Sequence, residues 1–180
     1  MKFVYNRKTA VLILVLCIVG TVLISGGRSL NRYRESQAEL FYDGPKGFSI
    51  YNDLMARCEA GYNIMTVARR YMDADSADLA ALADAISGVE TAESASEYYE
   101  ANYRLTVAVD QVYALLSQER LNDTDKKLLS GQFTEMTSRN QTIANDSYNT
   151  HAGQFNDMLK GFPTALIAGV NGIRPLELFR

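Results

Sequence analysis

The chain has 180 residues, with 18 Lys and Arg against 21 Asp and Glu, for a net charge of −3. That balance argues against non-specific nucleic-acid binding, which needs a basic surface. The length suits one modest domain with a tether, and two cysteines, Cys17 in an apolar run and Cys58 in a polar one, leave no disulfide framework.

Lys2, Arg7 and Lys8 lead into residues 9–27, TAVLILVLCIVGTVLISGG, which carry no charge. As a helix rising about 1.5 Å per residue, this run reaches roughly 28 Å, close to the hydrocarbon core of a bilayer. It reads as a transmembrane anchor. A removable secretory signal is the alternative, cut after Gly27 with Ser25 and Gly27 as its small residues, but the run is long for a signal core. Leu16 before Cys17 does not suit a lipoprotein signal. Arg28, Arg32 and Arg34 on the far side nearly balance the leading cations, so the positive-inside rule leans only to a cytoplasmic tail and a body outside the cytoplasm. Tyr5 and Tyr33 flank the run, either as interfacial aromatics or as ordinary polar-flank residues.

Residues 28–41 read as a charged juxtamembrane helix, and Asp43-Gly44-Pro45 as a turn and linker. The expected divisions are 1–27 (tail and anchor), 28–45 (juxtamembrane segment and linker) and 46–180 (helical bundle). Ser49 is a candidate N-cap, with a start nearer Lys46 as the alternative. From there Leu54, Cys58, Tyr62 and Met65 recur at helical steps, to an end near Met72 with Arg69 and Arg70 opposing the helix dipole. After the polar break 73–76, a second run from Ser76 to about Arg120 keeps Leu79, Leu82, Ile86, Val89, Tyr99, Val109 and Leu116 on its stripe. It reads as one long helix or as two with a break near Gly88. Asn122, Asp123 or Thr124 caps a third run, whose stripe passes Leu129, Phe133, Met136, Asn140, Ile143, Tyr148, His151, Phe155 and Phe162 before Pro163 ends it. Pro163 can open a short last helix to about Gly169. Ile173, Leu176, Leu178 and Phe179 then form an apolar tail that must be covered by the bundle, the membrane or a partner. No strand-like alternation appears. Short polar turns favour antiparallel neighbours, so the expected fold is all-α: an N-terminal transmembrane helix and an elongated antiparallel bundle of three long helices with a short C-terminal one.

No catalytic constellation emerges. His151 is the single histidine and lies on the apolar stripe, where a hydrogen-bonded structural role outweighs pH sensing or ligand binding; alone it makes no zinc site. Glu90, Glu93, Glu97 and Glu100 follow steps of three and four. No Lys or Arg occurs between Tyr71 and Tyr103, while eight acids do. These Glu are therefore expected to share one helix face, and a solvated acidic face outweighs weak divalent-cation or basic-partner binding. Tyr-Asn pairs recur at 51–52, 62–63 and 148–149, with Phe155-Asn156 related to them. Asn149 and Asn156 are two turns apart and suit hydrogen bonds across helices that fix register; a polar ligand groove is the sharper alternative.

The last third carries a recognisable set of residues: Ser147-Tyr148-Asn149, Phe155-Asn156, Phe162-Pro163, the Ile167-Ala168-Gly169 run, Pro175 and Phe179. Together with Tyr51-Asn52-Asp53-Leu54 upstream and the apolar N-terminal segment, they resemble the LemA family. This chain departs from the family pattern in having no Trp in its first soluble helix and a more acidic middle. The resemblance implies a retained single membrane span followed by a four-helix-bundle-like body, with no settled enzymatic activity and so no catalytic residue to carry over. The expectation is therefore a single-pass protein of the bacterial inner membrane that acts without catalysis, cofactor or metal as a scaffold or adaptor. It would contact the lipid bilayer through residues 9–27 and a protein partner through the tail or the acidic face, bind no nucleic acid, and be free to form homo-oligomers. Membrane shaping or lipid contact by the body is the alternative.

Overall fold

A computed structural model describes residues 7–180; Lys2 and Tyr5 lie outside the described residues. Seven α-helices and one 3-10 turn follow in order: α1 (Arg7–Glu39), the turn (Pro45–Gly47), α2 (Ile50–Ala68), α3 (Ala77–Glu90), α4 (Ala95–Leu116), α5 (Asp123–Ala144), α6 (Tyr148–Met158) and α7 (Thr164–Asn171). No strand occurs among the described residues. The all-α bundle with an apolar N-terminal helix is as the sequence predicts. Two of its long runs are each divided, however.

The first break lies at Thr91–Ser94, just past Gly88. Ser94 builds a complete capping box: its hydroxyl accepts from the Glu97 N–H, and the Glu97 carboxylate accepts from the Ser94 N–H at 3.3 Å. The box ends one helix and starts another, so Glu90, Glu93, Glu97 and Glu100 do not share a face. Glu90 closes α3, Glu93 sits in the turn, and Glu97 and Glu100 lie on α4. The second break lies at Asn145–Ser147. There the Asp146 carboxylate accepts the Tyr148 N–H at 2.7 Å and sets the start of α6. The apolar stripe takes a step of five at this point, from Ile143 to Tyr148, which absorbs the break. α2 starts where Ser49 predicts, its hydroxyl accepting the Asn52 N–H, but ends at Ala68 rather than near Met72. Asn122 caps α5 through the Asp125 N–H.

The described chain forms two compact units. The larger comprises Glu39–Asn149 with Glu177–Arg180; the smaller comprises the residues through Ala38 with Thr150–Leu176. In the larger unit α2 packs along α5 and α3 along α4, with α2 also against α3 and α4. The α2–α5 pair is antiparallel. Asp53 meets Arg139, Asn63 meets Gln132 and Arg70 meets Asp125, so positions climb one helix as they descend the other. The core is Leu54, Ile64, Leu82, Ile86, Leu105, Val112 and Leu116, all closed to solvent.

A cation lies inside that core. Arg57 is 2% exposed, yet no carboxylate touches it. Its guanidinium donates to Asn102 Oδ1, to Asn140 Oδ1 at 2.8 Å and to Thr106 Oγ1 at 2.8 Å, while Nε has no partner among the described residues. Burial lowers its pKa to about 10. A charge held only by neutral dipoles costs more to bury than one paired with an ion, but its directed bonds tie α2, α4 and α5 into one register. Beside it, Cys58 is buried, and burial pushes its thiol up to about 12.

Two outcomes are expected. Arg57→Ala should lower the urea-unfolding free energy by about 3 kcal/mol or more, because it leaves a cavity and strips Asn102 and Asn140 of a donor. In a Cys17→Ser chain at pH 8, Cys58 should react with an aromatic disulfide at least about 100-fold more slowly folded than unfolded. The raised thiol pKa also favours the fold below the ordinary value of 9.0, and this contribution should fade as pH climbs from there toward about 12.

Candidate interaction surfaces

The Tyr-Asn residues are placed by helix starts. Tyr51 is half-buried at the start of α2, where its ring meets Tyr42 and Tyr98 and its N–H donates to the Phe41 carbonyl at 3.1 Å. Asn52 Nδ2 donates to the Gly47 carbonyl, so this pair ties α2 to the linker before it.

Asn149 and Asn156 do not bond across helices as their spacing predicts; each binds the backbone of the non-helical tail. In the larger unit, Asn149 Nδ2 donates to the Phe179 carbonyl and Asn149 Oδ1 accepts the Phe179 N–H, both at 2.8 Å. In the smaller unit, Asn156 does the same to Leu176, at 2.8 and 2.7 Å. Each carboxamide thus satisfies both the N–H and the C=O of one tail residue. Between them, Tyr148 donates its hydroxyl to the Glu177 carbonyl at 2.8 Å.

The tail's side chains are covered too. Leu176 and Phe179 are buried, and the Phe179 ring lies against Phe41 and Tyr99. Among the two candidate contact surfaces, the tail is therefore part of the packed structure. In the smaller unit, Phe155 is closed to solvent against Tyr33, and Ala168 is buried. Phe162 and Gly169 are exposed, Ile167 is half-buried, and the Phe162–Pro163 peptide is cis before α7. His151 is half-buried on α6 and makes no hydrogen bond among the described residues. No cluster of three His, Cys, Asp or Glu side chains suited to a metal occurs among the described residues.

The acidic region builds a groove. Along α3 and α4 in the larger unit lies a depression of about 940 Å³. Its floor is made of small residues, including Ala85, Ala101 and Ala108, all buried. Its rim carries Asp84, Glu93, Glu97 and Glu100 against one cation, Arg104, with Tyr103 and Val107 exposed beside it. Glu97 is committed to its cap, whereas the other three carboxylates are exposed. Away from the groove, Asp125, buried, accepts from Arg70, from the Tyr71 hydroxyl and from Asn122. Arg70 thus ties the end of α2 to the start of α5. Tyr62 donates to Glu90, and that bond raises its phenol pKa.

The geometry defines a helical bundle with one apolar N-terminal helix, a tail clamped by paired asparagines, and an acid-rimmed groove. The chain belongs to the LemA family, whose profile matches residues 48–180. No curated protein matches the chain. α1 is long and apolar enough to cross a membrane, and its large side chains from Val11 to Ile24 are exposed except Leu23, which is half-buried.

Replacing Asn156 with Ala should free the Leu176 amide to exchange with deuterium at least about tenfold faster, and Asn149→Ala should do the same at Phe179. Deleting residues 172–180 should lower the melting temperature of the remaining body by several degrees, as about 1–3 kcal/mol of burial is lost per large apolar side chain.

Proposed function

We propose that this protein is a non-enzymatic scaffold or adaptor of the bacterial inner membrane, held by residues 9–27, whose body offers the α3–α4 groove to a partner protein. The observation that carries this reading is the groove itself: a floor of alanines with a rim of four carboxylates against one cation, Arg104. A floor without large side chains admits another helix closely, and three free carboxylates at its edge select one with Lys or Arg flanking its apolar stripe. The partner is therefore a basic amphipathic helix. The body lies outside the cytoplasm, with Lys2, Arg7 and Lys8, which precede the span, on the cytoplasmic side.

The test is site-specific photo-crosslinking in cells from Tyr103, at the groove, and from Gln141, on α5 and exposed. Tyr103 should give a discrete adduct absent from Gln141. The combined Asp84→Lys, Glu93→Lys and Glu100→Lys chain should lose about 90% of it with an unchanged melting temperature. An adduct equally strong in that triple variant would overturn the reading. In a Cys17→Ser background, Ser36→Cys should react with a membrane-impermeant thiol reagent in intact spheroplasts; protection until lysis would place the body in the cytoplasm instead.

A further inference from the structure

α7 is apolar on the face it shows to solvent as well as on the face it packs. Ala168 is 5% exposed, whereas Leu166 and Val170, one turn apart on the other side, are 52% and 61% exposed, and Phe162 just before the helix is 88% exposed. No charge occurs from residue 161 to residue 173; Lys160 and Arg174 bracket the segment and both are exposed.

The position of α7 within the smaller unit gives this composition a meaning. Asn171 Nδ2 donates to the Leu23 carbonyl on α1 at 3.1 Å and to the Ile167 carbonyl at 2.8 Å. Ile167 packs on Gly26, and a Cβ on Gly27 would collide with the Asn171 carboxamide. Both ends of one α7 turn therefore meet the same short stretch of α1, Leu23 to Gly27. That stretch is the end of the uncharged run. α7 is held at that depth, while the chain beyond it runs on to Arg174, whose carbonyl accepts from Arg34 Nε at 2.8 Å.

We propose that α7 is a membrane-interface helix: Phe162, Leu166 and Val170 enter the acyl-chain boundary of the bilayer that α1 crosses, with Lys160 and Arg174 at the level of the lipid phosphates. The proposal rests on reading residues 9–27 as a membrane span. Continuity with that span selects lipid as the occupant. Large apolar side chains fixed beside the point where a helix leaves a bilayer lie in the region where short apolar helices partition. Charge points the same way. Within the smaller unit, past the span, Arg28, Arg32, Arg34, Lys160 and Arg174 outnumber Glu35 and Asp157, the last of which is paired with Lys160 at 2.6 Å. Such an excess favours anionic phosphates. α7 thereby gives the anchor a second, lateral foothold.

The full chain, with Cys17→Ser and Cys58→Ala, is to be reconstituted in phosphatidylcholine–phosphatidylglycerol vesicles. A fluorophore is placed singly at Leu166→Cys, Val170→Cys, Val22→Cys in the span, or Gln141→Cys on α5. Labels at 166 and 170 should be quenched by nitroxides high on the acyl chain at least about threefold more than the label at 141, and shielded from aqueous iodide. Iodide quenching without nitroxide quenching at 166 and 170 would put this face in water and overturn the proposal. Shielding from both quenchers would mean a second copy or another protein covers it, which also overturns it. If the label at 22 escapes nitroxide as well, the span itself is at fault, and the proposal falls with it by a distinguishable route.

Discussion

One ring holds the larger unit's periphery together. Phe41 is 2% exposed and touches Tyr42, Tyr98, Tyr148 and Phe179 at centroid distances of 5.1 to 6.1 Å. Those neighbours come from the linker, the start of α4, the start of α6 and the tail, and Tyr51 on α2 closes the ring of contacts through Tyr42 and Tyr98. Each contact of this kind contributes about 0.5–1.5 kcal/mol beyond area burial, so the cluster outweighs any single one of the surface ion pairs. It also fixes where the helices begin. The caps at Ser49, Ser94 and Asp146 lie within a few residues of its aromatic members, so local capping and long-range packing select the same starts.

Polar groups in the interior follow a different logic. Arg57 and its amide and hydroxyl partners specify how three helices align and leave one donor unsatisfied in doing so. Asp53 and Asp125 are buried too, but each meets a cation that reaches in from the surface, Arg139 and Arg70. The body therefore places its costly charge at the centre of the register and its compensated charges at the edges. Exposed acids without an ion-pair partner among the described residues lie at the α3–α4 groove, at Asp84, Glu93 and Glu100, and elsewhere on the surface, as at Glu59 and Glu119.

Much of this was legible in the residues. Helical periodicity and the helical character of the apolar N-terminal run read correctly. The caps fell on one of the residues weighed at each start, Ser49 rather than a start nearer Lys46 and Asn122 rather than Asp123 or Thr124. Each of these depends on neighbours within a turn or two. The two helix breaks were harder, since the apolar stripe runs through both. Their signals were local and present: Ser94 with Glu97 three residues on is a capping-box pattern, and the five-residue step at Tyr148 exceeds a helical turn. The partners of Asn149 and Asn156 could not be read. Spacing announces two amides on one face, but what they grip is a tail some twenty to thirty residues away that has no periodicity of its own. The groove was visible only as acidity, because its floor depends on α3 folding back on α4.

Gly27 ends the uncharged run, and there hydropathy and shape disagree. By transfer free energy alone, a larger apolar residue at this position would improve a bilayer segment. The Asn171 carboxamide occupies the space that a side chain would need. A side chain at Gly27 would therefore have to displace the Asn171 carboxamide, a cost that a scale of lipid affinity does not include. The end of the uncharged run in α1 is shaped as a seat for another helix, and its tolerance to change follows the rules of a protein core.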